Sequence, residues 1–156
     1  ESDVRCMGRD ACGVMGIRLR QGDYVIGAAR AKYDHHVLMV TENGYGKRTE
    51  MDEYIRGDGP QKRGGYGLKG YQVTDKTGPL VGLKVVNDGD DILIINDAGV
   101  IIRMECAGIN SYSRSAQGVK LMNLDEGVKV ISIARTDHEE EESAEGEIPA
   151  DEEKGE

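Results

Sequence analysis

A short loop motif occurs three times along the chain, and this repetition constrains the fold more than any other feature of the sequence. The motif is an arginine, three variable residues, a glycine and an apolar residue, and its copies begin at Arg9, Arg63 and Arg114. Each copy leads into an apolar stretch, a turn and a second strand-like run. These second runs span residues 24–29, 80–86 and 128–134. Because the copies recur about every 50 residues, the sequence predicts a repeat architecture whose units pack against their neighbours.

A second repeated element precedes two of these loops and predicts β-hairpins. Residues 36–44 (His-Val-Leu-Met-Val-Thr-Glu-Asn-Gly) align without a gap on residues 91–99 (Asp-Ile-Leu-Ile-Ile-Asn-Asp-Ala-Gly), and Arg48 then falls on Arg103. Four apolar residues closed by Asn, Asp and Gly are typical of a strand that is buried on both faces and ends in a tight turn. No segment keeps apolar residues at helical spacing for three turns. The chain is therefore predicted to be all-β.

Each unit offers about four short strands in roughly 50 residues, which suits the four-stranded blade of a propeller-like ring. The sequence predicts the second half of a blade at residues 1–30, a complete blade at 31–87 and a complete last blade at 88–136. This amounts to about two and a half blades of a propeller. Because the pattern begins in the middle of a unit, we expect the chain to be part of a longer repeat protein.

The C-terminal end of the chain differs sharply in composition from the rest. The formal net charge of the whole chain is −9, but residues 137–156 hold eleven of its 29 acidic residues and one of its 20 basic residues. The preceding body is therefore nearly neutral. A run as acidic as this cannot bury enough apolar surface to offset the entropy lost on ordering, so a disordered tail is predicted. It would act either as a solubilising tail or as an internal anion that competes for the basic surface of the body.

Patterns for catalysis or metal binding are weak. His35, His36 and His138 stand in no spacing that suggests a catalytic triad, and the first two are interpreted as part of a turn. The three aspartates within residues 88–91 lack the calcium-loop pattern of an EF-hand, which favours an acidic β-turn. The glycine-rich loop 64–67 lacks the Lys-Ser/Thr end of a Walker loop. We therefore expect neither a catalytic residue nor a metal ligand in this chain.

The cysteines and the apolar runs indicate the compartment. The three cysteines, at positions 6, 12 and 106, form no Cys-x-x-Cys pair. This fits reduced thiols in a cytoplasmic protein better than a disulfide framework or a zinc site. No apolar run approaches the roughly 20 residues needed to span a bilayer, so no membrane partner is expected.

Positive charge recurs with the repeat and predicts contact with a polyanion. Arg9, Arg63 and Arg114 hold one equivalent position, and Arg48 and Arg103 hold another, just after a hairpin turn. A ring of blades would place each series at regular intervals along one rim, where a bent duplex brings its phosphates. The alternative is that these arginines cap loop carbonyls or pair with acids between blades. The predicted DNA-binding residues, including neighbouring lysines, are Arg9, Lys47, Arg48, Lys62, Arg63, Lys69, Arg103, Arg114 and Lys120.

Several longer stretches resemble one known family. They are 40–49 (Val-Thr-Glu-Asn-Gly-Tyr-Gly-Lys-Arg-Thr), 61–67 (Gln-Lys-Arg-Gly-Gly-Tyr-Gly), 97–103 (Asp-Ala-Gly-Val-Ile-Ile-Arg) and 115–119 (Ser-Ala-Gln-Gly-Val). These stretches look like the C-terminal domain of bacterial DNA gyrase A, and the resemblance covers residues 4–135. It implies a β-pinwheel, a propeller-like ring whose basic outer rim binds and wraps double-stranded DNA.

The resemblance also implies a place in a larger enzyme. In that family, wrapping presents a DNA segment to a catalytic core, and ATP-driven strand passage then introduces negative supercoils. In an A2B2 assembly, the remainder of gyrase A would be one partner of this chain and gyrase B another. ATP and magnesium would be used by the rest of the holoenzyme, so no cofactor is expected in this piece of the topoisomerase. None of its tyrosines is expected to cleave DNA.

The glycine-rich loop departs from the hallmark heptad of the family. That heptad, the gyrase A box, resembles Gln-Arg-Arg-Gly-Gly-Lys-Gly, whereas this chain has Lys62 and Tyr66 at the second and sixth places. The family carries the box in its first blade, but here the loop lies in the next-to-last unit, so we interpret it as a box-like copy. Its residues are Gln61, Lys62, Arg63, Gly64, Gly65, Tyr66 and Gly67. The equivalent domain of topoisomerase IV stays open as an alternative, and a protein-binding propeller is a more distant one.

Overall fold

The protein is built from short antiparallel strands, and the prediction of an all-β fold is confirmed. The structure is a computed structural model, and it describes residues 5–56 and 59–138. Within these residues the strands are β1 (His36–Thr41), β2 (Tyr45–Glu50), β3 (Ile55–Arg56), β4 (Gly59–Pro60), β5 (Leu80–Val86), β6 (Asp90–Asn96), β7 (Ile101–Glu105), β8 (Val119–Lys120) and β9 (Val130–Asp137). Two 3₁₀ turns, Met51–Tyr54 and Cys106–Gly108, follow β2 and β7. No helix in this described part is long and apolar enough to cross a membrane.

Both predicted hairpins are present, and they share one register. β1 pairs with β2 and β6 pairs with β7, so that Leu38 faces Arg48 across the first hairpin and Leu93 faces Arg103 across the second. Valine and isoleucine fill much of β1 and β6, and such β-branched side chains favour extended backbone. The alignment of the two hairpins is therefore confirmed residue by residue.

The first sheet takes its outermost strand from the following unit. Its order is β5-β1-β2-β8, and all neighbouring strands are antiparallel. β8 follows the third copy of the loop motif, and it pairs with β2 through Tyr45–Lys120 and Gly46–Val119. The second large sheet has the order β7-β6-β9, so the outer side of β7 carries no strand from the described ranges. The sequence predicts about four strands per unit, but the first sheet reaches four only through this exchange.

Residues 5–35 contain no strand, so the strand-like run predicted at 24–29 does not form one. The equivalent strands β5 and β9 each pair with the first strand of their own hairpin, β1 or β6. No such hairpin precedes 24–29 in this chain, and an extended segment without a partner does not form a sheet. Consistent with this, Ile17, Leu19 and Val25 are 49%, 44% and 63% exposed. The apolar run 68–73 also forms no strand, and its equivalent after the third loop is the short β8.

The core lies between the two large sheets and on the far face of the first. β1 supplies alternate residues to two apolar clusters, because successive side chains of a strand point to opposite faces. The larger cluster contains Leu38, Val40, Val86, Ile92, Ile94, Cys106, Ile109, Met122, Val130 and Ile133, and the smaller one contains Val37, Met39, Met51 and Tyr71. Full burial of an apolar side chain of this size stabilises by about 1.5–3 kcal/mol. The units are thus joined by shared apolar burial.

Candidate nucleic-acid interface

The third arginine–glycine loop lies at the outer edge of the first sheet, where one unit meets the next. β8 is the outermost strand of the first sheet, and residues 114–118 lead directly into it. The glycines that end the three loops, Gly13, Gly67 and Gly118, have φ of 79°, 75° and 74°. Residues with a side chain rarely adopt this left-handed conformation. The same turn therefore recurs in each unit, as the repeated glycine predicts.

The backbones of the second and third loops are each held by the preceding unit. In the last unit, Gln72 N donates to Ala116 O at 3.2 Å. The equivalent bond one unit earlier runs from Arg18 N to Gly65 O at 2.8 Å. Because this hydrogen bond recurs between successive units, the second and third loops are held to the preceding unit in the same way.

Five of the predicted cations are exposed on or beside these loops. A phosphate backbone requires cations at the solvent surface, because each contact displaces condensed counterions from the duplex. The five exposed cations on or beside the loops are Arg9, Lys62, Arg63, Lys69 and Lys120. Their contact with DNA stays a prediction.

Arg103 and Arg114 are bonded to protein groups while part of each residue remains in solvent. Arg103 Nε donates to Asp91 Oδ2 at 2.6 Å, and the Arg103 side chain is 41% exposed. Arg114 Nε donates to Glu53 O at 3.1 Å, and its Nη1 donates to Lys69 O at 2.8 Å. These contacts match the alternative in which arginines cap carbonyls or pair with acids. These bonds hold the side chain of each arginine against the protein surface.

The structure buries Lys47 and Arg48, which removes them from the surface on which DNA contact is predicted. Their exposed fractions are 0% and 7%. Arg48 Nε donates to Ile109 O at 2.5 Å, and its Nη1 forms an ion pair with Asp88. The cause is the strand exchange, since the segment that follows Ile109 runs alongside β2 and covers it. The spacing of Arg48 and Arg103 in sequence does not reveal this cover.

Two arginines outside the predicted set lie at the box-like loop. The guanidinium carbons of Arg18 and Arg20 lie 5.6 Å and 5.5 Å from the ring centroid of the exposed Tyr66. Both distances are within the range of a cation–π contact. These arginines bring charge from the first unit to Lys62 and Arg63 of the second. The next copy of the repeat has neutral residues at the two equivalent positions, so Arg18 and Arg20 do not belong to a repeated series of cations. Their spacing of two residues, which puts both on one face of an extended segment, is the sequence signal that could have revealed them.

A similar arrangement occurs at the next boundary between units. Lys76 Nζ and Lys120 Nζ lie 5.4 Å and 6.0 Å from the ring centroid of Tyr45. Lys76 comes from the turn before β5, whereas Lys120 comes from the exchanged strand β8. Each boundary thus brings two cations to one tyrosine: both come from the first unit at Tyr66, and they come from two successive units at Tyr45.

The acidic turn predicted within residues 88–91 is shorter in the structure, because Asp90 and Asp91 already belong to β6, and both are bonded to protein groups. Asp90 Oδ2 accepts from Asn87 N at 2.8 Å, and Asp91 accepts from Arg103 Nε at 2.6 Å and pairs with His138 Nδ1 at 2.9 Å. Burial alone would raise the pKa of Asp91, but the contacts with Arg103 and His138 outweigh it and lower that pKa below its usual value. The described residues contain no group of His, Cys, Asp and Glu side chains that could hold a metal ion.

Comparison with known proteins decides the family. The model of the family described as DNA gyrase C-terminal domain, beta-propeller, matches residues 1–32, 35–87 and 90–137. The chain belongs to this family. The resemblance seen in the sequence is thereby confirmed.

Curated relatives of this gyrase domain cover nearly the whole chain. The DNA gyrase A protein of Staphylococcus epidermidis (strain ATCC 12228 / FDA PCI 1200) is 42% identical over 143 residues, which is 90% of this chain and 16% of the relative. The DNA gyrase A protein of Staphylococcus aureus (strain MRSA252) is 42% identical over 149 residues, which is 94% of this chain and 16% of the relative. The chain therefore spans about one sixth of the length of these relatives.

Solved structures agree with the propeller fold of the family. The structure of a DNA gyrase A C-terminal domain has a TM-score of 0.74 and 29% identity, over 85% of this chain and 44% of that one. The crystal structure of the C-terminal domain of a DNA topoisomerase IV has a TM-score of 0.76 and 22% identity, over 87% of this chain and 42% of that one. The folds match equally well, but the sequence is more similar to the gyrase domain.

Proposed function

We propose that this chain is a DNA-binding and DNA-wrapping part of DNA gyrase A, with no catalytic residue of its own. The observation that carries the proposal is the set of exposed cations on loops that are fixed in the same way in successive units. Lys62 and Arg63 are exposed on the second loop, and Lys120 is exposed beside the third. Arg9 is exposed at the equivalent place in the first loop, and Arg18 and Arg20 add charge beside Tyr66 of the second. Family membership supports the same conclusion, because the relatives are DNA gyrases by name.

The nearly neutral composition of the body is compatible with a basic outer edge. Several acids are paired with cations away from the box-like loop: Glu42 accepts from Lys129 Nζ at 2.7 Å, and Asp91 accepts from Arg103. The net charge of the body therefore does not describe the local charge at the box-like loop, where Arg18 and Arg20 lie beside Tyr66. Phosphate contacts depend on this local charge and not on the net charge of the chain.

Fixed loops suit DNA that is bent as it passes along the edge. Smoothly bending a site of 20–30 base pairs by 40–90° costs about 1–6 kcal/mol. This cost must be offset by contacts that recur each time the backbone returns to the protein. Repeated units supply such contacts at regular intervals, and phosphate contacts carry no sequence information. We therefore expect binding that is independent of sequence and strongly dependent on salt.

The test is a salt titration of DNA binding by the full chain. Fluorescence anisotropy with two duplexes of unrelated sequence should give similar affinities that fall steeply with salt. Arg63→Gln should make the slope of log K against log salt shallower by about 0.9, the value for one lost phosphate contact. Lys84→Gln is the control, because Lys84 lies on β5 at the opposite edge of the sheet. No measurable affinity at low salt, or an equal effect of both substitutions, would refute the proposal.

In the cell, we propose that this chain works in the cytoplasm within an A2B2 assembly of gyrase A and gyrase B. Wrapping would present a DNA segment to the catalytic core, and ATP and magnesium would act there and not in this chain. A gyrase A protein that ends in this chain, mixed with gyrase B, should supercoil relaxed plasmid when ATP is added. The same protein with the exposed loop cations neutralised should lose supercoiling while keeping relaxation.

A second candidate is the equivalent domain of topoisomerase IV, and the likeness of the two folds supports it. The plasmid assay separates the candidates, because a topoisomerase IV relaxes or decatenates DNA without introducing negative supercoils. A complete box heptad upstream of the first unit would also favour gyrase. A protein-binding propeller, the third candidate, predicts no salt-dependent affinity for duplex DNA.

A further inference from the structure

Lys47 is fully buried and bonded to the loop of the next unit. It lies on β2, and its Nζ donates to Ser113 O and Arg114 O, each at 2.7 Å. The same nitrogen lies 5.2 Å from the ring centroid of Tyr71. The three donors of the ammonium group therefore meet two carbonyls and the face of one aromatic ring.

Packing within the hairpin does not require a lysine at this position. Lys47 faces Met39 across the first hairpin, whereas Ile102 faces Ile94 at the same place in the second. An apolar residue is therefore accommodated there, and it avoids the cost of moving a charge out of water. Burial lowers the pKa of Lys47 to about 8, which reflects this cost. The lysine thus occurs in the hairpin that the next unit covers, whereas the isoleucine is half-buried in the hairpin whose outer edge no described strand covers.

The charged and titratable groups around Lys47 hold the same loop. Glu53, from the 3₁₀ turn after β2, favours the charged ammonium, whereas Arg114 of the loop disfavours it. Tyr71 is neutral, because burial raises its pKa to about 12. Glu53 Oε2 also accepts from Arg114 N at 2.6 Å. Lys47 and Glu53 thus bind the carbonyl and the amide of one residue, Arg114, and fix its backbone from both sides.

We propose that Lys47 is a positioning residue for DNA binding, which fixes the loop 113–118 of the next unit so that Arg114 and Lys120 meet the duplex. The inference rests on the proposed function of the outer edge. Lys47 does not contact DNA itself, because it is buried, and it acts through the two carbonyls that it bonds. Since Lys47 belongs to one unit and the loop to the next, the contact sets the position of one DNA-binding element relative to its neighbour.

The test is a double-mutant cycle in the full chain, read out as affinity for a duplex of mixed sequence. Lys47→Met keeps the length of the side chain and removes its donors. In the wild-type background it should weaken binding about threefold or more, within the range of coupling between residues that act together. In a background with Arg114→Gln and Lys120→Gln it should leave both affinity and salt slope unchanged. Lys84→Met, the matched control, should have no effect in either background.

An equal loss in both backgrounds would overturn the proposal, because Lys47 would then support the whole fold or touch DNA directly. No loss in the wild-type background would overturn it too. Lys47→Ile provides a second variant that reproduces the residue of the second hairpin, in case the methionine variant does not fold. If the wild-type chain binds no duplex, the proposed function fails as well. If the chain binds DNA but the effects of Lys47→Met and of the Arg114 and Lys120 substitutions simply add, only the positioning role of Lys47 is refuted.

A measurement without DNA tests the structural step separately. Amide hydrogen exchange should become faster in residues 113–118 of Lys47→Met, relative to amides in β6 of the same protein. Unchanged protection of the loop would show that Glu53 and the remaining contacts hold it without Lys47, and this would overturn the proposal.

Discussion

Gly118→Ala should destabilise the protein more than the same change at Gly67, because only Gly118 lies tightly against another backbone. The two glycines are equivalent in the repeat and have φ of 74° and 75°. A Cβ added at Gly118 would overlap Gly46 O and lie 2.9 Å from Tyr71 Oη. A Cβ added at Gly67 would have Ile17 Cδ1 as its nearest neighbour, at 3.5 Å, which is an ordinary contact.

The two substitutions share one energetic term and differ in another. The left-handed conformation costs a residue with a side chain about 1–2 kcal/mol, and this applies at both positions. At Gly118 the added methyl group must also push β8 away from Gly46, and overpacking of this kind costs about 1–3 kcal/mol. The expected loss in free energy of unfolding is therefore about 2–5 kcal/mol for Gly118→Ala and about 1–2 kcal/mol for Gly67→Ala.

Urea denaturation followed by circular dichroism measures this difference. With an m value of about 2 kcal/mol per molar urea, Gly118→Ala should lower the midpoint by about 1–2.5 M. Gly67→Ala should lower it by less than about 1 M. Equal shifts for the two variants would show that the close contact between Gly118 and Gly46 adds no steric cost to the alanine substitution. The expected difference between the two glycines would then be refuted.

Three further predictions follow from the burial of particular groups and from the charge of the tail. Burial lowers the pKa of Lys47 to about 8, whereas lysines of the unfolded chain have a pKa of about 10.4. Between these two pH values the unfolded chain therefore binds more protons than the folded one, and folding becomes more favourable as the pH rises. The stability advantage of the wild type over Lys47→Met should therefore grow from pH 8 to pH 10 in urea denaturation; a constant difference would contradict this. Burial raises the pKa of Cys106 to about 11, so iodoacetamide at pH 8 should modify the exposed Cys6 and Cys12 and reach Cys106 only after denaturation, as mass spectrometry would show. A variant that ends at His138 keeps β9 intact and should bind duplex more tightly than the full chain; unchanged affinity would leave the acidic tail a solubilising role.

The hairpins and the inner strands could be predicted from the sequence because their signals are local. The run 80–86 coincides with β5, and the run 128–134 overlaps β9 at Val130–Asp137. Each is a short apolar stretch bounded by turn residues, and its pairing partner lies in the same unit. The run 24–29 has the same local signal, but it pairs with no strand in residues 5–56 or 59–138 and forms none itself. Local pattern therefore predicts a strand only where the fold provides a neighbour.

The burial of Lys47 and Arg48 could not be predicted, because it depends on contact between units. Both residues lie on β2. From the sequence alone, two adjacent cations on a strand that follows a hairpin turn look like part of an exposed binding surface. The segment that covers them starts at Ile109, about 60 residues later, and nothing in its sequence indicates which strand it covers. Arg18 and Arg20 were missed for a different reason. These two positions are arginine in the first copy of the repeat and neutral in the second, whereas the predicted DNA-binding arginines were those found at the same position in successive copies.

The exchange of β8 also determines when the first sheet can be completed during synthesis. β1, β2 and β5 have all left the ribosome once Val86 has emerged, but the outer edge of β2 must wait for Val119–Lys120. At about 5–20 residues per second this delay lasts seconds, and an open strand edge can pair with a wrong partner in that time. Charged side chains on an edge strand discourage such pairing. Lys47 and Arg48, buried in the finished protein, would protect the nascent chain while that edge is bare.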